Sequence, residues 1–246
     1  MKHWRLAADA SKQEQAHFPD LATVFSLEGE RIAKDPLSQV FRLRLDGQIY
    51  YLKRYFSAGK RMRRWLGRPR VKAEWQNLQQ FAKWGIPTAE LVGWGLQRGL
   101  LGQFLRGALI TREVANSTDL SQLWQNHDPR LADRAWVRKV SQQVADATRI
   151  MHSHRFAHND LKWRNILVDK GAQIHLIDCP SGTFWRGPVL RQRIIKDLAC
   201  LDKIGNKALS RTQRLRFYLS YCNKTRLEAS DRPFINSILN YYEGRV

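Results

Sequence analysis

The stretch His158-Asn159-Asp160-Leu161-Lys162-Trp163-Arg164-Asn165, followed by Asp178, gathers the side chains that phosphoryl transfer requires. Moving the terminal phosphoryl group of a nucleoside triphosphate asks little covalent chemistry of a protein. It asks for a group that orients or deprotonates the acceptor hydroxyl, oxygen ligands for a divalent cation, and positive charge on the phosphates. Asp160 suits the first task. Lys162, close behind it, suits the third. Asn165 and Asp178 offer an amide oxygen and a carboxylate, the hard ligands that Mg²⁺ prefers. His158 reads as a packed, hydrogen-bonded anchor of the loop, and Cys179 as a small packing residue.

These residues need elements to hold them. Residues 166–168 and 174–177 form a short hairpin around Asp169-Lys170-Gly171, so that Asp178 emerges beside Asn165. Upstream, residues 40–45 and 48–55 alternate apolar and polar on either side of Asp46-Gly47, the pattern of a β-hairpin with a type I′ turn. A helix is expected over 71–84, stopped by Gly85 and Pro87. Two strands follow, over 90–95 and 109–114. Asp128-Pro129 reads as the start of a helix whose stripe is Trp136, Val137, Val140, Val144, Ala147 and Met151. From 190 onward the chain reads as mostly helical. A strand-rich first part thus precedes a helix-rich second part, an α+β pattern.

The order H-x-D-x-K-x-x-N, with an aspartate after the next hairpin, resembles the protein-kinase-like superfamily. The resemblance implies a bilobal kinase-like fold. Residues 1–114 would form an antiparallel sheet with one helix that binds nucleotide, and 115–246 a mostly helical catalytic lobe. It implies ATP and Mg²⁺ as cofactors, with Asn165 and Asp178 on the metal. It places Lys53 on the α- and β-phosphates, Glu74 in an ion pair that positions Lys53, and Glu113 with Val114 at the adenine-binding hinge. Asp197 resembles the buried helix aspartate that ties down the catalytic loop. Four departures stand out. No G-x-G-x-x-G joins the first strands, where Lys34-Asp35-Pro36-Leu37-Ser38-Gln39 stands instead, so another backbone turn, with Ser38, would have to cover the phosphates. Asp178-Cys179-Pro180 replaces D-F-G. No A-P-E follows, and the remainder is short for a protein kinase.

The charge balance narrows the acceptor. Among 246 residues, 42 are Lys or Arg and 22 are Asp or Glu, giving a formal charge of +20 and a pI near 10.4. Such a field draws anionic partners. Three cysteines form neither a disulfide framework nor a metal-ligand spacing, which points to a reducing compartment. Residues 1–9 lack the apolar core of a signal peptide, and no window is apolar enough to span a bilayer. A cytoplasmic protein is expected. Short length, strong basicity and an Arg-rich insert at 60–72 make the chain resemble the lipopolysaccharide kinases (heptose and Kdo kinases) over residues 30–203.

That resemblance implies phosphorylation of a sugar hydroxyl, heptose first, on lipid A–core, at the anionic inner face of the cytoplasmic membrane. Residues 98–106, with Leu100, Leu101, Phe104 and Leu105 between Arg98 and Arg106, read as a loop able to dip into that interface. Two other readings compete. One is a small atypical protein kinase or other small-molecule kinase of the same fold. The other is a basic nucleic-acid-binding module, which the charge permits but no groove-binding motif supports, so no nucleic-acid partner is expected. Nothing in the sequence assigns an oligomeric state.

Overall fold

In a computed structural model of the chain, residues 2–57, 65 and 67–243 are described. The basic run Lys60-Arg61-Met62-Arg63-Arg64 and Leu66, part of the insert at 60–72, lie outside them. The chain divides into two compact units, Met1–Gln80 with Ala89–Glu113, and Phe81–Thr88 with Val114–Val246. Among the described residues no helix is long and apolar enough to cross a membrane.

The first unit is built on one antiparallel sheet. Its strands are β1 (Lys2–Leu6), β2 (Glu30–Lys34), β3 (Ser38–Leu45), β4 (Gln48–Tyr55), β5 (Leu91–Arg98) and β6 (Phe104–Arg112), in the order β1-β5-β6-β4-β3-β2. The Asp46-Gly47 turn joins β3 and β4 with both residues at positive φ (49° and 79°), the twist that a type I′ turn matches to the strands. Strand alternation then decides what each residue of β4 meets. Tyr50 and Leu52 face one side, where Phe18, Leu21, Val24, Leu43, Val92, Ala108 and Ile110 complete a core. Tyr55 faces the other, with Val71 and Trp75 of helix α3 (Arg70–Lys83) and with Leu96, Phe104 and Leu109.

The first-named core is roofed by α1 (Lys12–His17) and α2 (Leu21–Ser26), which the sequence reading left unassigned. Each is a helix of 6 residues and owes its existence to its cap. Ser11 and Glu14 form a reciprocal capping box, and Asp20 accepts from the N–H groups of Ala22 and Thr23. Glu14 is buried and does double duty. Its carboxylate takes the Ser11 N–H at 2.8 Å and a two-point grip from Arg112, Nε to Oε1 and Nη2 to Oε2, each 2.8 Å. The Arg112 guanidinium holds the Glu14 carboxyl down at about 2 against the opposing effect of burial.

The second unit is mostly helical. Its helices are α4 (Leu120–Gln125), α5 (Arg134–Ser153), α6 (Gly187–Ala208), α7 (Arg211–Cys222) and α8 (Arg232–Leu239). Short strands β7 (Thr118–Asp119), β8 (Phe156–Ala157), β9 (Ile166–Val168), β10 (Ile174–Leu176) and β11 (Thr183–Phe184) pair as β10-β9-β7 and β11-β8. The helix expected to begin at Asp128-Pro129 is two elements. Residues Pro129–Leu131 make a single 3₁₀ turn, and α5 starts afresh on Asp133, which caps Ala135 and Trp136. Of the apolar stripe along α5, Val137, Val140, Val144, Ala147 and Met151 are buried, while Trp136 stays partly exposed.

The Glu14–Arg112 pair sets a stability prediction. Arg112→Met strands a buried carboxylate and lowers the unfolding free energy by about 3 kcal/mol in urea titration. Adding Glu14→Gln recovers part of that loss. In the intact protein the contribution is complete above the ordinary carboxylate value of 4.5 and disappears as pH falls through about 2.

Candidate active site

Strand β8 runs directly into the loop that carries Asp160, and a single buried carboxylate shapes that loop. Asp197 of α6 is wholly buried; its Oδ2 accepts from the His158 N–H at 2.7 Å and its Oδ1 from the Asn159 N–H at 2.8 Å. A third donor, the His152 ring, lies 3.4 Å away and is itself tied to the Tyr221 hydroxyl at 2.8 Å. Aiming two consecutive N–H groups at one carboxylate needs a sharp bend, and Asn159 supplies it with φ of 64°. Asparagine is among the residues that tolerate this left-handed region best. The Asn159 amide then locks the bend, donating to the Ala157 carbonyl at 3.2 Å and the Ser181 carbonyl at 2.9 Å.

Beyond the bend, Asp160 reaches the surface of the loop. Its carboxylate lies 2.6 Å from the Lys162 ammonium and 3.7 Å from the Arg164 guanidinium. Lys162 is thus engaged with Asp160 rather than extended alone, so any anion it meets is met beside that carboxylate. Asn165 is buried, and its amide nitrogen donates to the Asp160 carbonyl at 2.9 Å. That bond fixes which end of the amide is spent and leaves Oδ1 as the end to offer. The Asn165 main chain in turn accepts from the Ile177 N–H at 3.0 Å, and Asp178 follows at φ of 58°. Asn165 and Asp178 are therefore tied to one junction.

The donor set of that junction, one amide oxygen and one carboxylate, fits Mg²⁺ completed by phosphate oxygens and water. Among the described residues no three His, Cys, Asp or Glu side chains gather as a metal site of their own. Cys179 is buried, its sulfur 3.9 Å from the His158 carbonyl, a packing position.

In the first unit Lys53 and Glu74 come together. Lys53 sits on the β4 face that looks toward α3, and its ammonium is 3.1 Å from Glu74 Oε1. Both side chains are largely buried, at 14% and 4% exposure. Tyr55, which sequence reasoning missed, shares the arrangement. Two residues along the same face, its hydroxyl donates to Glu74 Oε2 while its ring lies 5.4 Å from the Lys53 ammonium. Glu113 spends its N–H on the Ile49 carbonyl at 3.0 Å, and its side chain lies 3.3 Å from the Tyr51 hydroxyl and 3.5 Å from Arg42. The Val114 carbonyl accepts from the Ser117 hydroxyl at 2.7 Å.

Two expectations need correction. The turn standing where a glycine loop would be offers no backbone donor. Asp35 Oδ1 takes the Leu37 N–H at 2.6 Å and the Ser38 N–H at 2.9 Å, Pro36 has none, and the Asp35 N–H bonds the Ser38 carbonyl at 2.9 Å. The Ser38 hydroxyl, buried, donates to Asp35 Oδ2 at 2.7 Å. Ser38 thus serves the turn rather than a phosphate. Burial pushes the Asp35 carboxyl up, but Ser38, the two amides and Lys53 outweigh it and hold the group below its ordinary value.

His158 is the second. It is packed, stacked on Phe81 at 6.1 Å, yet neither ring nitrogen has a hydrogen-bond partner among the described residues. Only its main chain is anchored. Burial pushes the imidazole below its usual 6.5, against the pull of Asp197, Asp178 and Asp160. The unfolded chain therefore takes up a proton near 6.5 that the folded chain refuses, so stability falls as pH drops below that value. Melting temperatures between about pH 7 and about pH 5 should decline less steeply for His158→Leu than for the parent protein.

A solved structure described as WaaP in complex with acyl carrier protein matches with a TM-score of 0.72 at 20% identity, covering 99% of this chain and 97% of that one. At that identity the likeness speaks for the fold, a kinase-like α+β architecture. Over 53 residues, 22% of this chain but only 18% of the relative's length, the sequence is 47% identical to Cyclin-dependent kinase 1 of Encephalitozoon cuniculi (strain GB-M1). The model of the lipopolysaccharide kinase (Kdo/WaaP) family matches residues 20–221, from the cap of α2 to the last turn of α7, and the chain belongs to that family.

Proposed function

We propose that this chain is an ATP-dependent kinase that phosphorylates a sugar hydroxyl, most simply of a heptose, in the inner core of lipopolysaccharide. The observation that carries this reading is the loop between β8 and β9. One hydrogen bond, from the Asn165 amide nitrogen to the Asp160 carbonyl, ties the Asp160 carboxylate and the Asn165 Oδ1 to a single turn, which supports a role for the first at the acceptor and for the second at a metal.

In this reading Asp160 receives the hydroxyl of the acceptor sugar, aligns its oxygen on the γ-phosphorus and takes its proton as the new O–P bond forms. ADP leaves with the electrons of the broken bond. Lys162, 2.6 Å from Asp160, neutralises charge on the transferring oxygens, and Lys53, steadied by Glu74 and Tyr55, binds the α- and β-phosphates. Asn165 and Asp178 would hold Mg²⁺, which would supply positive charge against the phosphates. The Glu113 and Val114 main chain would meet the adenine. With the Asp35 turn closed on itself, phosphate binding falls to the side-chain cations and the metal. An anionic, phosphate-bearing glycolipid also gives the +20 charge a purpose, and it places the working protein at the inner face of the cytoplasmic membrane.

A carrier-protein partner belongs to the same reading. The second unit carries an open, mostly apolar pocket of about 420 Å³ lined by Val137, Val140, Val144, Leu198, Leu201 and Ile238, among others. We propose that it takes the acyl chain of an acylated carrier protein, in keeping with the company in which the structural neighbour was solved. Acylated carrier protein should raise the melting temperature, and the unacylated form should leave it unchanged.

The decisive assay supplies ATP–Mg²⁺ and a dephosphorylated core glycolipid, with a protein acceptor as the control. Mass spectrometry of the product should place one phosphate on heptose. A phosphate on Kdo would move the reading to the other branch of the family, and transfer to the protein acceptor alone would remove it. Asp160→Ala should cut turnover by about a hundredfold or more while leaving the circular dichroism spectrum intact.

A further inference from the structure

The hairpin between β5 and β6 closes on Gly99-Leu100-Leu101-Gly102. The Gly102 N–H donates to the Gly99 carbonyl at 3.0 Å, the Gly99 N–H to the Gln103 carbonyl at 2.9 Å, and Gly102 has φ of 80°. A tight turn completed by a left-handed glycine is a compact closure for a hairpin. Arg98 braces it, its guanidinium donating to the Gly102 carbonyl at 2.6 Å. Turn positions such as these favour polar residues. Here they carry two leucines with relative exposures of 104% and 77%, so no described residue covers them.

The neighbours sharpen the pattern. Phe104, which the sequence grouped with the exposed leucines, is buried in the α3-side core, while Leu105 beside it stays partly exposed. The register Ser38–Tyr55–Gly107 places the end of β4 at the same end of the sheet. There Phe56 is half exposed and meets Phe25 edge-on at 5.8 Å, and Arg106 lies over the Phe25 ring at 4.6 Å. This end of the sheet thus presents Leu100, Leu101, Leu105 and Phe56, with Arg98 and Arg106 bracketing the turn.

We propose that the 99–102 turn is a membrane-insertion tip that seats Leu100 and Leu101 in the interfacial zone of an anionic bilayer. The inference rests on the reading of a membrane glycolipid as acceptor. A stable protein interface buries roughly 800 Å² on each side, far more than a two-leucine point can offer. A bilayer sets no such demand on shape. It accepts a protruding apolar tip, and its headgroups receive the flanking arginines. Neither the tip nor the charge alone gives firm attachment; together they supply the two signals that peripheral binding requires.

Vesicle flotation tests the proposal. The parent protein should float with phosphatidylglycerol-containing vesicles and less with pure phosphatidylcholine. Leu100→Ser with Leu101→Ser should weaken partitioning about tenfold, through lost apolar burial and without added negative charge. Leu101→Trp should strengthen it. Phosphorylation of a delipidated core oligosaccharide in solution should be equal in all three. Unchanged flotation of the serine pair overturns the proposal, as does a parent dimer that the serine pair converts to monomer while flotation stays the same. If no glycan is phosphorylated by any of the three, yet flotation still follows the leucines, the kinase reading falls and the insertion tip stands.

Discussion

The Asp197 carboxylate is the point on which the geometry of the second unit turns. A charge with no exposure at all persists only if its lone pairs are filled, and the His158 and Asn159 N–H groups fill them. Satisfying both demands the left-handed bend at Asn159, and the bend sends the next residue, Asp160, outward. Helix α6 therefore specifies where the loop may go before any side chain of the loop is considered. Because the donors are main-chain groups, the carboxylate holds the loop by its path and makes no demand on the identity of residue 158, whereas residue 159 must adopt the left-handed bend, which its own amide then locks. That explains how His158 can sit in the loop with ring nitrogens that have no hydrogen-bond partner among the described residues.

The first unit solves a different problem with the same logic. Lys53 must keep its charge on a strand with only 14% of its side chain exposed. Alternation along β4 turns residues 53 and 55 to one face and 52 to the other, so one register decision brings a cation, a phenol and the α3 carboxylate together. Breaking a buried pair of this kind costs more than the pair contributes, because the survivor is left charged and dry. Glu74 is held by both Lys53 and Tyr55, so its position survives small movements of either.

Legibility followed the length of each signal. The β3–β4 hairpin was readable because eight-residue alternation and an Asp-Gly turn agree. The loop from His158 to Asp178 was readable because its chemistry is packed into one segment. The elements before Gly29 were not read. Helices of 6 residues are too short to show a period, though the Ser11–Glu14 box and Asp20 mark their starts. Asp133 went unnoticed beside Asp128-Pro129, since two caps in close succession look like one from sequence. Tyr55 and the burial of Phe104 were out of reach for another reason. The first depends on register across the sheet, and the second on an irregularity between Gln97 and Arg98 that shifts the pairing of β5 and β6.

The self-contained turn at 35–38 has a pharmacological consequence. A flexible glycine loop of the kind that covers the phosphates in protein kinases has main-chain N–H groups to offer a ligand that draws it down. In this protein the Asp35 carboxylate takes the Leu37 and Ser38 amides and the Ser38 carbonyl takes that of Asp35, so a ligand would have to break a closed set of bonds to recruit one. Compounds optimised for a collapsible loop should lose that component here. Chemistry aimed at the Lys53–Glu74–Tyr55 cluster would instead meet a feature that is fixed in place and built from side chains.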